Sequence, residues 1–77
     1  MVEQSSSQVL RELLAINVKH HRQRLNMTQE EFAAHCGLHR TYIGAIERAE
    51  RNVTLSTLEI LASALHIPAN ELLKGES

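Results

Sequence analysis

The chain has 77 residues, of which 43% are hydrophobic and 22% are charged, and its formal net charge is −1 at pH 7. This length allows a single domain with a small core, and a content of one Phe, one Tyr and no Trp favours aliphatic helix packing over a sheet. No apolar run approaches the roughly 18 residues that span a bilayer, no secretory signal is present, and a single cysteine cannot form an internal disulfide. We therefore expect a cytoplasmic all-α domain without membrane contact.

Charge is distributed unevenly along the chain. Residues 19–51 carry six basic and four acidic side chains, a net charge of +2, whereas the remainder carries a net charge of −3. Affinity for DNA comes largely from neutralisation of phosphates, so a DNA-binding face is expected in this central third.

The first helix is predicted over residues 8–24. Residues 1–7 are polar and lack periodicity, so they are predicted to be a flexible tail, with the folded domain over residues 8–77. The stripe of the helix that is predicted to be buried comprises Val9, Leu10, Leu13, Leu14, Val18 and Leu25.

A second helix is predicted to begin near Gln29 and to end at Gly37. Thr28 and Glu31 have the spacing of a capping box, in which each side chain bonds the other residue's backbone amide. Gly37 supplies the positive φ that ends a helix without a Cβ penalty.

The next helix, over about residues 39–48, is the candidate recognition helix. Ile43 and Ile46 point inward at helical spacing. The outward positions are Arg40, Thr41, Tyr42 and Ala45. Two short helices joined by a glycine turn form the helix-turn-helix arrangement, whose second helix lies in the DNA major groove.

Two further helices are predicted after a loop over residues 49–54, in which Asn52 is the expected turn residue. Thr54 or Ser56 caps the fourth helix, which ends near His66, and Pro68 suits the first turn of a short fifth helix. The predicted core consists of Leu14, Val18, Phe32, Ala33, Ile43, Ile46, Leu58, Leu61 and Leu65.

Several strings in this chain resemble one family. They are Met27-Thr-Gln-Glu-Glu-Phe-Ala, Gly37-Leu38, Tyr42-Ile43, Ile46-Glu47-Arg48, Leu61-Ala62 and Leu65-His-Ile. Together they resemble the Xre/lambda-repressor-like helix-turn-helix family over residues 14–73. Within it, the runs over residues 40–43 and 51–55 are similar to controller proteins of restriction-modification systems.

The resemblance implies a five-helix, lambda-repressor-like domain that binds a pseudo-palindromic DNA operator as a homodimer and regulates transcription, with RNA polymerase as a further candidate partner. The residues expected to contact bases are Arg40, Thr41, Tyr42, Ala45 and Arg51. Those expected to contact phosphates are Gln29, Thr28, Arg48 and Asn52. Arg22 and Glu47 match a family pair that joins the first and third helices by an internal salt bridge.

Three residues depart from the family pattern. His39 stands where Ser, Thr or Asp usually caps the recognition helix, His21 occupies a usually apolar position, and Ala49 replaces a common glycine. The cap of the recognition helix and the loop after Ala49 are therefore not carried over from the family.

Three neighbouring residues are candidate metal ligands. His35, Cys36 and His39 include metal-ligating side chain types, but Gly37 breaks the helix that would align them and a fourth ligand is missing. Cys36 is better interpreted as a small buried hydrophobe. No paired acid, base or nucleophile is present, so we expect neither a metal, a cofactor nor an enzymatic activity.

A dimer interface is expected at Ile60 and Leu73, because one recognition helix contacts too few base pairs to be selective alone. The alternative function is an antitoxin-type module that neutralises a toxin partner and regulates its own gene. Antitoxins commonly carry an extra segment for the toxin, and this chain has few residues outside the predicted helices. The sequence therefore favours the operator-binding regulator.

Overall fold

A computed structural model describes residues 2–75 of the chain, with side chains from residue 8 onward. Its helices are α1 (Val2–Arg24), α2 (Gln29–Cys36), α3 (Arg40–Glu47), α4 (Leu55–Leu65) and a 3₁₀ helix (Ala69–Leu73). Residues 2–75 contain no strand, which agrees with the predicted all-α class. The predicted count of five helices is not confirmed, because the five residues after Pro68 form only a 3₁₀ helix. So short a segment gains too few hydrogen bonds to offset the cost of α-helix nucleation.

Helix α1 is longer than predicted at its amino end. It begins at Val2, six residues before the predicted start at Gln8, so the backbone of the predicted tail is helical over residues 2–7. At 1.5 Å per residue the helix is about 34 Å long. Val9 and Leu10, which were predicted to be buried, are 53% and 47% exposed, and Leu10 lines an open apolar groove together with Leu55. Leu25, which follows the helix and was also predicted to be buried, is 43% exposed.

The core contains all nine residues that the sequence predicted to be buried. Phe32, Ile43 and Leu61 have no exposed surface, and they bring α2, α3 and α4 into one cluster with Leu14 and Val18 of α1. The 3₁₀ helix completes this cluster with Leu72, which is also fully buried. Asn17 holds that segment against α1, because its side chain amide donates to the carbonyl oxygens of Leu72 and Lys74 at 3.0 and 2.9 Å.

All four α-helices end in the same way. A residue in the left-handed region follows each helix, namely Asn26, Gly37, Ala49 and His66, with φ values of 58°, 69°, 62° and 60°. The next amide then bonds back five residues, as in Met27 N to Arg22 O and Glu50 N to Ala45 O, at 3.3 and 2.9 Å. This pair of features is the Schellman motif, which satisfies carbonyl groups at the end of a helix. Gly37 and Asn26 are of the two residue types that favour this conformation at a helix end, whereas Ala49 and His66 carry no such sequence signal.

None of the helices within residues 2–75 is long and apolar enough to cross a membrane.

Candidate nucleic-acid interface

The start of α2 carries the predicted capping box. The Thr28 hydroxyl accepts from the Glu31 amide at 3.0 Å, and the Glu31 carboxylate accepts from the Thr28 amide at 2.8 Å. At the other end, Gly37 takes a φ of 69° and its amide bonds to Ala34. These two local signals fix the length of α2 and the turn into α3, as the sequence predicted.

His39 caps α3 with its own side chain. Its Nδ1 atom accepts a hydrogen bond from the Thr41 amide at 3.1 Å, and its backbone is extended, as is usual at an N-cap. The imidazole therefore accepts the capping hydrogen bond that a Ser, Thr or Asp side chain accepts in the family pattern. This bond requires an unprotonated Nδ1.

The outward face of α3 is narrower than the sequence predicted. Arg40 and Thr41 are exposed in its first turn, and Tyr42 is half-buried against the core. Ala45 was predicted to point outward, but it is only 9% exposed. The physical reason is the Schellman turn after α3, which brings the Glu50 amide back onto the Ala45 carbonyl. A base contact from Ala45 is therefore not supported.

A buried ion pair joins α1 to α3. Arg22 donates from Nε and Nη2 to the two carboxylate oxygens of Glu47 at 2.7 and 2.9 Å, and from Nη1 to the Met27 carbonyl at 2.8 Å. The side chains of Arg22 and Glu47 are only 10% and 3% exposed. The hydrogen bond to Glu47 raises the pKa of Arg22, and burial opposes this shift. The pair thus has the two-point geometry of an arginine fork on a carboxylate.

Gln29 extends this pair to α2. Its side chain amide donates at 3.0 Å to Glu47 Oε1, the oxygen that also accepts from Arg22 Nη2. The Gln29 residue itself is exposed. The first residue of α2 is thereby held at a fixed distance from the last residue of α3. Gln29 was expected to contact a phosphate, and its bond to Glu47 shows that it also braces α3.

A polar concave surface lies between the starts of α2 and α3. Thr28, Gln29, Arg40, Thr41 and Arg48 line it, with Gly44 among the lining residues. A Cβ atom on Gly44 would lie 3.1 Å from Arg48 Nη1 and 3.6 Å from Gln29 Oε1. The absence of a side chain there lets these two polar groups approach α3 closely.

The exposed arginines of this surface have loose acidic neighbours. Arg40 lies 3.9 Å from Glu30, and their side chains are 67% and 76% exposed. Arg48 lies 3.2 Å from Glu50, with exposures of 59% and 55%. Pairs this exposed contribute little to stability, so both arginines are available to a negatively charged ligand.

The loop after α3 places two more predicted contacts. The Arg51 Cζ atom lies over the Tyr42 ring, 4.8 Å from its centroid. Asn52 was predicted to be the turn residue, but the left-handed turn is at Ala49, and the Asn52 side chain instead accepts from Arg11 at 2.8 Å. Sequence reasoning missed this tie from α1 to the loop, because nothing in the local pattern relates residues 41 positions apart.

Among residues 8–75, whose side chains the structure describes, no group of three or more His, Cys, Asp or Glu side chains is placed to hold a metal ion. Cys36 is half-buried rather than fully buried, and this burial raises the pKa of its thiol to about 11. The thiol is therefore protonated near neutral pH.

The two predicted dimer residues lie on different faces. Ile60 is 40% exposed and lies on α4 beside His35 and Glu59. Leu73 is half-buried and lines an apolar groove of about 250 Å³ between α1, the loop before α4 and α4 itself. Leu10 and Leu55 line the same groove, and Leu55 is 82% exposed. Leu55 was not among the predicted interface residues, although its apolar side chain directly follows the N-cap Thr54 of α4, a position that is usually exposed.

Comparison with known proteins gives consistent matches over most of the chain. The profile of the helix-turn-helix family matches residues 18–72. The control protein C.SmaI of Serratia marcescens is 56% identical over 64 residues, which are 83% of this chain and 76% of C.SmaI.

Two solved structures extend these matches to the fold. A hypothetical transcription factor from Neisseria superposes with a TM-score of 0.83 at 45% identity, over 87% of this chain and 75% of that one. The restriction-modification controller protein C.Esp1396I, solved as a tetramer with its natural 35 base-pair operator, superposes with a TM-score of 0.72 at 34% identity. That match covers 84% of this chain and 96% of C.Esp1396I.

Proposed function

Because this chain belongs to the Xre/lambda-repressor-like helix-turn-helix family, we propose that it is a transcriptional regulator of the restriction-modification controller type, which binds a pseudo-palindromic operator as a homodimer. The observation that carries this proposal is the α2–α3 pair, in which a braced helix presents Arg40 and Thr41 at its exposed first turn. The match to C.Esp1396I, a protein solved on its operator, supports it. The antitoxin alternative is not favoured, since the named relatives are control proteins and transcription factors.

Arg40 is the proposed base reader of α3. Its side chain is 67% exposed, and its contact with Glu30 is long enough to be given up at little cost. An arginine fork matches O6 and N7 of guanine in the major groove, and such a contact contributes about 1–3 kcal/mol of discrimination. Thr41 beside it is short enough to let the helix approach the base edges.

Phosphate contacts are assigned to the concave surface. Gln29 uses one amide hydrogen on Glu47, and the second is directed to a phosphate, as is the Arg48 guanidinium. The capped amino end of α2 at Thr28 lies on the same surface. Asn52, in the loop between α3 and α4, is proposed to contact a phosphate of the DNA backbone, while its side chain oxygen accepts from Arg11.

We place the dimer contact on the Leu73 face rather than on the Ile60 face. Leu55 is 82% exposed next to an apolar groove, and burial of its side chain by a second copy would gain about 1.5–3 kcal/mol for each subunit. A two-fold axis there pairs Leu55 of each copy with the groove of the other. Leu55→Ser should shift the protein toward monomer in sedimentation at micromolar concentration, whereas the matched change Ile60→Ser should leave the mass unchanged. The opposite pattern would move the interface to Ile60.

Selection of duplexes from a random pool, followed by affinity measurements on matched and scrambled sites, tests the operator proposal. Arg40→Ala should flatten base preference at one position in each half-site. Insertion of about five base pairs between the half-sites should abolish tight binding, because the two recognition helices are about 34 Å apart in a two-fold dimer. Equal affinity for matched, scrambled and respaced duplexes would contradict the proposal. Transcription from a promoter that carries the selected site, with purified RNA polymerase, would then separate activation from repression.

A further inference from the structure

We propose that Tyr42 is a positioning residue for Arg51, and that its ring holds the Arg51 guanidinium so that this side chain reads a base pair of the operator. The inference rests on the proposed DNA-binding function and extends it to a second specificity contact outside the recognition helix. Its basis is the placement of the Arg51 Cζ atom over the Tyr42 ring, 4.8 Å from the centroid. This distance is within the range in which a ring face attracts a cation.

Arg51 needs such a support because of where it lies. It belongs to the irregular loop between α3 and α4, in which no helical hydrogen bonds fix the backbone. Immobilising a free arginine on binding costs conformational entropy, and a side chain that is already held avoids part of this cost. A contact that restricts the side chain rotamers of a loop arginine before binding therefore lowers the entropy cost of its contact with a base.

A ring is a better support for this purpose than a carboxylate. Arg40 and Arg48 have Glu30 and Glu50 as neighbours, and a carboxylate accepts from the same N–H groups that would bind guanine. A ring face attracts the cation without using it as a hydrogen-bond donor to an acceptor atom. The Arg51 donors can therefore reach a base while the stack persists.

Two features of the fold keep the Tyr42 ring next to Arg51. Tyr42 is half-buried against the core, and its amide bonds to the His39 carbonyl at 3.0 Å, so the ring is carried by the first turn of α3. The left-handed turn at Ala49 and the bond from Glu50 N to Ala45 O return the chain over the same helix. Residue 51 is thereby brought back to residue 42, which lies one turn before Ala45.

The stack can be tested in the free protein by nuclear magnetic resonance. A proton above an aromatic ring is shifted upfield, so the Arg51 side chain protons should be upfield of those of Arg24, an exposed arginine at the end of α1. This shift should persist in Tyr42→Phe, which keeps the ring, and be lost in Tyr42→Leu. Ordinary Arg51 shifts in the parent protein would overturn the inference without any variant.

The effect on recognition is tested on the duplex that the parent protein selects. Arg51→Ala should flatten base preference at one position of each half-site, and Tyr42→Leu should flatten the same position with about a fivefold loss of affinity. Tyr42→Phe should retain the preference there. The double variant should bind no more than about twofold worse than Arg51→Ala alone, because the ring then has nothing to position.

Three outcomes of these binding measurements would overturn the inference. A Tyr42→Phe variant that loses as much preference as Tyr42→Leu would show that the hydroxyl reads DNA directly. Losses that multiply in the double variant would show that the two residues act independently, as Arg40→Ala combined with Tyr42→Leu should. An Arg51→Ala variant weakened equally on all sequences would make Arg51 a phosphate contact. A parent protein that selects no sequence would instead contradict the proposed function, while the ring shift would still report on the stack.

Discussion

The two sides of α3 carry the same kind of ion pair in opposite surroundings. On the inner side Arg22 and Glu47 are bonded at 2.7 Å with side chains 10% and 3% exposed. On the outer side Arg40 and Glu30 are 3.9 Å apart and mostly exposed. The inner charges are fixed because neither has water as an alternative partner, whereas the outer arginine exchanges its partner freely. One helix can thus be held rigidly from behind while its front stays available for DNA.

The largest expected effect is the loss of the inner pair. Glu47→Ala should lower the free energy of unfolding by about 3–5 kcal/mol, because it strands the Arg22 charge in a nearly buried position. The matched outer change Glu30→Ala should alter it by less than about 1 kcal/mol. Urea denaturation measures both. In the cycle with Arg22→Ala the double variant should lose less than the sum, and strict additivity would show that the pair does not interact.

The second prediction concerns the apolar part of the inner side. Ile46 is 1% exposed, and Ile46→Ala should cost about 2–5 kcal/mol, since it leaves a cavity in a small core. Ile60→Ala removes the same atoms from a residue that is 40% exposed and should cost clearly less. Thermal unfolding would compare them. A melting temperature for Ile46→Ala within a degree of the parent would refute this assignment of the core.

Two matched substitutions test the left-handed turns before and after α3. Gly37→Ala places a Cβ in the left-handed region and should destabilise by about 1–2 kcal/mol. Ala49→Gly relieves the same conflict at a φ of 62° and should stabilise by about 0.5–1 kcal/mol, after the extra flexibility of glycine in the unfolded chain is deducted. Changes of the same sign in denaturant titrations would show that the two turns are not equivalent.

The smallest effect on folding is expected on the outer side. Arg48→Ala should leave the unfolding free energy within about 0.5 kcal/mol of the parent, because its ion pair with Glu50 is exposed. It should weaken specific and non-specific DNA alike and lower the salt slope of binding by about one unit. Affinities on both kinds of duplex across a salt series provide the measurement. A loss confined to the specific duplex would make Arg48 a base reader instead.

The inner side was largely predictable from the sequence, because burial and local capping leave periodic signals. The spacing of Ile43 and Ile46 gave the core face of α3, and Thr28 with Gly37 bounded α2. Arg22 and Glu47 were paired only through the family resemblance, since no local pattern relates residues 25 positions apart.

The two predictions that were wrong in this region concern the turn after α3. Ala45 was placed outward because helical periodicity does not reveal that the following loop folds back over α3. The turn at Ala49 was not foreseen, since alanine carries no signal for positive φ, and the bond from the Glu50 amide to the Ala45 carbonyl closes it. The base and phosphate contacts remain predictions, because the exposed side chains take their final positions only on DNA.

The shared left-handed closures also bear on how the chain assembles. Each closure forms between residues five apart, so the helix ends can form early and at little loop-closure cost. The Arg22–Glu47 bond closes 25 residues and the Asn17–Leu72 bond closes 55, so both are expected after the transition state. Changes at Gly37 would then slow folding, whereas changes at Glu47 would mainly speed unfolding. The kinetic lifetime of the native protein is therefore set by its most distant bonds rather than by its helices.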